Sequence, residues 1–378
     1  MPALIRTGSL IVLALLLHTA SLFAQEISSA ELKLNCILNT NSAFLPKELL
    51  NSKTVVVLSI DDKNESNIRG DWKSLADEAH FYIAKLGIDP VVYYYVDDLI
   101  SGYDIQRVIT EEMVQRGIKN VLMLSKDKIN GRDQYIGVIT AFDQKPSFVS
   151  HNQNAWKSQT SDLEILFRNL ARAIDNAGLV RENLLILDSP EYFRGVKVLA
   201  GRRSETFNTD LRIDRIAIPA FGEIPITEGA NSENSKIVQA ITEENQEALR
   251  RNAQLEQIMA SYPYQYKIVP YQYDEKKYLT QGFQFILMRI TSSGMNVRRL
   301  LGYKIDEQAN ELITMKKDDL GNVQAKSISV DGLVTKYYVK HINSGEVFLG
   351  EQWDGDDNWS DALKNHLKNL MEKLGDKK

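Results

Sequence analysis

Two helical stretches far apart in the chain share a cap, an apolar register and a stop, and this pairing limits the fold more than any other feature. One runs from Asn358 to Gly375, with Asp361 three residues after Asn358; the other runs from Ser161 to Gly178, with Glu164 three residues after Ser161. Each opening offers a side-chain acceptor for the first-turn amides and an acid near the positive helix end. In the later stretch Ala362, Leu363, Leu367, Leu370, Met371 and Leu374 form one stripe at helical spacing. An offset of 197 residues, Ser161 to Asn358, places Ile165, Leu166, Leu170, Ala173, Ile174 and Ala177 at the same positions. Gly178 and Gly375 then stand at matching distances as C-terminal stops. The pairing predicts an α/β protein of two tandem mixed-sheet modules, each ordered strand, helix, strand, helix, then a hairpin or meander and a closing helix.

The first residues read as a secretory signal. Arg6 gives a positive start, Leu10 to Leu17 an apolar core, and Ser21 to Gln25 a small-residue exit with cleavage expected after Ala24. The apolar run is too short for a stable bilayer anchor, so no transmembrane span is expected in the mature chain, and export to the periplasm or cell envelope follows. Residues 25–200 are expected to form the first module with its lead-in, 201–211 a linker, and 212–378 the second module. The net charge is −5 with no basic block, which argues against nucleic acid as a partner. Cys36 is the one cysteine, so stability must come from packed cores, and its thiol is expected to be an ordinary, partly buried one.

Along the chain, a lead-in carries a strand near 32–38. Thr54–Ile60 reads as a buried strand, Asp71–Leu86 as a helix stopped by Gly87, and Ile88–Val96 as a strand. Ser101 with Asp104 is expected to cap a helix ending at Gly117. Asn120–Ser125 and Tyr135–Phe142 read as strands joined by a turn at Asn130 and Gly131. Leu184–Asp188 and Val196–Ala200 read as short strands. The order repeats with a strand in Arg212–Phe221, a long helix over 235–260, and a strand in Tyr264–Tyr273 that Pro270 marks as an edge or a bulge. A short helix capped by Asp274 ends at Gly282, and the strand Phe283–Ile290 follows. Asp331 and Gly332 between alternating runs predict a hairpin, with Tyr337, Val339 and His341 on the packed face of its second strand and Lys336 and Lys340 on the other.

The order from Arg212 onward, with Thr280–Ile290 ending in a buried strand after Gly282 and the turn Ser344, Gly345, Glu346 before apolar residues, resembles a superfamily of envelope α/β modules. It includes the amino-terminal domain of the TolB translocation protein, the curli-secretion channel lipoprotein and the lipoprotein activators of penicillin-binding proteins. The resemblance implies a non-enzymatic module that binds other envelope proteins. This chain lacks a lipobox cysteine, has a longer helix before Tyr264 and carries an extra meander from Arg298 to Val330, so membrane attachment and pore formation are not implied.

No catalytic motif or cofactor-binding pattern is present. Carboxylates follow strands at Asp61, Asp62, Asp97, Asp98, Asp143 and Asp188. In an open α/β sheet that position faces the ligand crevice, and Asp61, Asp97 and Asp98 could hold a divalent metal for hydrolysis. Turn and cap chemistry accounts for the same residues. Asp354, Asp356 and Asn358 are spaced like the start of a calcium loop, but Trp359 and Asn365 stand where glycine and glutamate are needed. His366, on the apolar stripe, reads as a hydrogen-bonded core residue. Tyr264, Tyr266, Tyr271 and Tyr273 are candidates for a surface that binds an envelope protein or cell-wall glycan. The reading that results is an exported, non-catalytic binding or assembly protein, with a divalent-metal hydrolase as its alternative.

Overall fold

The computed structural model describes residues 27–34, 36–60, 68–193, 202–225, 235–272, 274–306, 308–317 and 322–375. The expected signal segment, Asp61, Asp62, the strand over 196–200 and Tyr273 lie outside them.

The first module opens with a short helix α1 (Ser29–Lys33) and strand β1 (Asn39–Thr40), where a strand had been expected near 32–38. The reason is a capping box: Ser28 accepts from the Glu31 amide while the Glu31 side chain reaches back to the cap. Then come β2 (Lys53–Ile60), α2 (Trp72–Lys85), β3 (Asp89–Tyr95), the single turn α3 (Val96–Leu99), α4 (Tyr103–Gln115), β4 (Ile118–Ile129) and β5 (Arg132–Ala141). Asn130 (φ 52°) and Gly131 (φ 76°) form the β4–β5 turn, both in the left-handed region that such a turn needs. The polar strand β6 (Asn154–Thr160) and helix α5 (Leu163–Ala177) complete the module.

The second module holds β7 (Arg203–Ser204), β8 (Ile216–Pro219), α6 (Ser235–Met259), β9 (Tyr266–Val269), α7 (Lys276–Thr280), β10 (Phe285–Ser293), α8 (Gly294–Leu300), β11 (Glu311–Lys317), β12 (Val323–Ser329), β13 (Leu333–His341), β14 (Val347–Phe348) and α9 (Trp359–Leu374).

The two sheets have one topology. The first is ordered β1-β6-β5-β4-β2-β3 and the second β7-β14-β13-β10-β8-β9. Strand for strand the orientations agree. The edge pair is parallel, the next two pairs antiparallel, and the last two parallel. Helices α5 and α9 follow the same strand of their sheets and so hold equivalent places.

Their register needs one correction. Asp162, not Ser161, caps α5 by accepting from the Ile165 amide, whereas Asn358 caps α9 as expected. The offset is therefore 196, Asp162 to Asn358, which aligns buried Leu166, Phe167, Leu170 and Ile174 with buried Ala362, Leu363, His366 and Leu370. Ile165 and Ala177, placed on the stripe by the earlier offset, are exposed. Gly178 ends α5 at φ 61°, but Gly375 has φ −58° and makes no left-handed stop.

Other differences have local causes. Arg203–Ser204, within the stretch expected as a linker, forms an edge strand paired with β14. Leu184–Asp188 forms no strand; Asn183 ties its start to the Ser52 and Gly87 carbonyls, and Leu184 and Leu185 are 86% and 93% exposed. The Asp331–Gly332 hairpin does not form either. β12 pairs with β11, and β13 lies between β10 and β14, so residues 294–332 are an insertion into what is a direct hairpin in the first module.

Each sheet buries an outer face under two helices. Val56, Leu58, Leu122 and Leu124 pack with α2 and α5, and Ile216, Ile218, Phe285 and Leu287 pack with α6 and α9. The inner faces share one core, in which Val55, Val57 and Met123 of the first sheet and Ile286, Met288 and Tyr338 of the second meet residues of α1, α4 and α8. This explains the shortness of α7. The sheet face it would cover is already covered from the first module, so no long amphipathic helix is needed there.

Candidate functional site

Open α/β sheets take ligands in the crevice beyond the strand carboxyl ends where the chain winds off to opposite faces. Here that place falls between β2 and β4 in the first sheet and between β8 and β10 in the second.

The chain's own amino-terminal helix occupies the first place. Ser29 donates from its amide and hydroxyl to the Asp127 carboxylate (3.0 and 2.6 Å), its hydroxyl lies 2.8 Å from that of Ser59, and the Ala30 amide meets the Ser125 hydroxyl. Behind them Glu31 and Lys157 form an ion pair of 2.8 Å, both side chains almost wholly buried. Cys36 closes the helix, its thiol buried and pushed up in pKa by that burial.

The turn α3 and the start of α4 occupy the second place, from across the module boundary. The Thr291 amide, past the point where β8 stops, donates to the Ser101 carbonyl (2.7 Å). Gly102 fits so closely that a Cβ on it would stand 2.9 Å from the Arg289 carbonyl oxygen. Asp98 is saturated: it accepts from both Arg69 terminal nitrogens (2.9 and 2.7 Å), from the Ser292 hydroxyl (2.6 Å) and from the Asn296 side-chain Nδ2 (2.8 Å). Burial lowers the Arg69 pKa, but Asp98 outweighs it and keeps the guanidinium firmly charged. Asp104, expected to help cap α4, instead accepts from the Tyr338 hydroxyl and from Lys340 (2.6 Å), which also donates to Glu275 (2.6 Å). Burial and then Asp104 raise the Glu275 carboxyl above its ordinary value.

The predicted carboxylates are thus dispersed among different cations. Asp97 pairs with Lys33 (2.8 Å), while its neighbour Asp98 points to Arg69. Asp354 pairs with Lys336 (2.5 Å) and accepts from His366 Nδ1 (3.0 Å) and Asn369 (2.9 Å); Asp356 pairs with Lys326 (2.7 Å). Burial alone raises the Asp354 carboxyl, but Lys336 and His366 outweigh it and hold it below the usual range. Burial holds the His366 imidazole below its ordinary 6.5 in spite of Asp354. Among the described residues, no three His, Cys, Asp or Glu side chains are placed to share a metal ion. Lys336 and Lys340, expected on an open strand face, are buried because that face carries these two ion-pair clusters.

The tyrosines do not make one exposed row. Tyr264 and Tyr266 are partly buried against the outer core of the second module, the first with its hydroxyl on the Leu374 carbonyl and the second edge-on to Tyr262. Tyr271 is 38% exposed and meets Tyr103 of the first module edge-on. The strand they flank, β9, is an edge, as Pro270 just past its end suggested.

Of the residues that sequence reasoning missed, Glu31 carried a readable signal in its capping box with Ser28. Lys157 carried none, since its strand is polar and shows no apolar alternation. A cleft of about 440 Å³ also lies at the module junction, lined by Trp72, Lys73, Tyr192, Phe193 and Arg299. Among the described residues no helix is long and apolar enough to cross a membrane. No protein-family model, curated protein or solved structure matches the chain.

Proposed function

We propose that this is an exported binding or assembly protein of the cell envelope that contacts other proteins through its surface. The observation that carries the reading is the double filling of the sheet crevices, the first by Ser28–Leu34 and the second by Asp98–Asp104. A hydrolase built on Asp61, Asp97 and Asp98 would have to break the bidentate Arg69 pair to free Asp98 and the Lys33 pair to free Asp97 before these carboxylates could hold a metal. What stays accessible is surface: the edge strand β9 and the outward leucines at 184, 185 and 187. The signal-like start (Arg6, Leu10–Leu17, Ala24) supports export, and the placement of Gly282 and Ser344–Glu346 supports kinship with envelope modules.

The test is photo-crosslinking in the native envelope from a probe at Lys267 beside β9 and a second at Leu185. Discrete protein adducts from either position support the reading. Absence of adducts, together with divalent-dependent hydrolysis that Asp98→Ala abolishes, replaces it with the enzyme.

A further inference from the structure

The duplicated sheets differ at one equivalent edge. In the first module the outer side of β3 is completed by the chain itself. Tyr93 donates its amide to the Glu191 carbonyl (2.8 Å) and accepts from the Phe193 amide (3.0 Å), so residues 191–193 run parallel to β3 as a short added strand. The central residue of that strap is aromatic. Tyr192 stands edge-on to Trp72 (5.4 Å, 88°) and Tyr93 (6.3 Å, 60°), and its hydroxyl donates to Asp77.

The matching edge of the second module is β9. The Ile216 amide donates to the Gln265 carbonyl and the Ala220 amide to the Val269 carbonyl, with β8 and β9 in parallel register. Backbone groups alternate sides along a parallel strand, so those of Tyr266 and Ile268 face outward, as those of Tyr93 do. Both side chains lean on the outer core, as Tyr93 does, and Tyr264 and Tyr266 each stand edge-on to Tyr262 there. Among the described residues no strand lies on this side of β9. An edge of unpaired amides and carbonyls is a template for a further strand.

We infer that β9 takes an extended segment of a partner protein, parallel to it, with an aromatic side chain set against Tyr266. The first module displays the bound form of this interaction within one chain. The inference rests on the binding reading above and names its mode.

The experiment uses the full mature chain and a synthetic peptide with the strap's own sequence, Asp188 to Phe193, carrying a photoreactive phenylalanine at the Tyr192 position. At millimolar peptide the amides of Tyr266 and Ile268 gain protection from hydrogen exchange, and the adduct maps to residues 262–268. Methylating the backbone nitrogen at the Phe193 position of the peptide removes one donor and weakens binding about tenfold. An adduct elsewhere, equal binding of the methylated peptide, or no change at the two amides overturns strand completion. Protection of those amides in the protein alone, rising with its concentration, names a second copy as the occupant and also overturns it. None of these outcomes touches the envelope crosslinking, which tests the binding reading by itself.

Discussion

Lys340 Nζ lies 2.6 Å from the Asp104 carboxylate, although 236 residues separate them in the chain. The pair joins the modules within a shared core, with the Tyr338 hydroxyl on the other Asp104 oxygen and Glu275 on the same ammonium. Asp104→Ala leaves Lys340 with Glu275 alone and the buried Tyr338 hydroxyl without its acceptor, and is expected to cost about 1–3 kcal/mol. Urea unfolding followed by fluorescence and by circular dichroism should then give transitions that no longer coincide, as the modules part before they melt.

Glu31 and Lys157 make the matching prediction inside the first module. Glu31→Ala should lower stability by about 3–5 kcal/mol, while the apolar double replacement Glu31→Leu with Lys157→Met should recover most of it. Denaturant midpoints of the two variants against the parent decide it.

The cap correction is testable at lower cost to the fold. Asp162→Ala removes the acceptor for the Ile165 amide and should cost about 1 kcal/mol, whereas Ser161→Ala should stay within about 0.5 kcal/mol of the parent. Equal losses at both positions would restore Ser161 as the cap.

His366 makes the second module sensitive to acid. With Asp354 ionised beside it, the ring donates from Nδ1 and leaves Nε2 buried without a partner. Its folded pKa lies below the ordinary 6.5, so as pH falls through 6.5 the unfolded chain binds more protons than the folded one. The stability contribution is whole above that value and is lost on the way down to the folded pKa. Urea midpoints measured from about pH 8 to about pH 5.5 should fall for the parent and fall less for His366→Leu.

Much of the architecture was readable because local chemistry marks it. Helical stripes, glycine stops and the Asn130–Gly131 turn mark most elements of both modules, and the paired closing helices point to the duplication without any knowledge of strand order. What failed was long-range. Asp331–Gly332 carries every local sign of a hairpin, yet β13 has β10 and β14 as neighbours and leaves β12 to β11. Leu184–Leu187 has the composition of a buried strand, yet its three leucines lie exposed, since nothing in four apolar letters records whether a neighbour exists to cover them. Asp97 and Asp98 looked like a pair of ligands because sequence shows that they are adjacent but not which cations they meet.

Both crevices are closed by the chain itself, and the proposed surface function rests on that closure. Hydrogen exchange of the native protein at neutral pH, read on segments 28–34 and 98–106 against strand β4, tests it most directly. The account predicts that both segments exchange as slowly as β4, opening only with global unfolding. Exchange at the rate of open loops in either segment would mean an accessible crevice, and would contradict it.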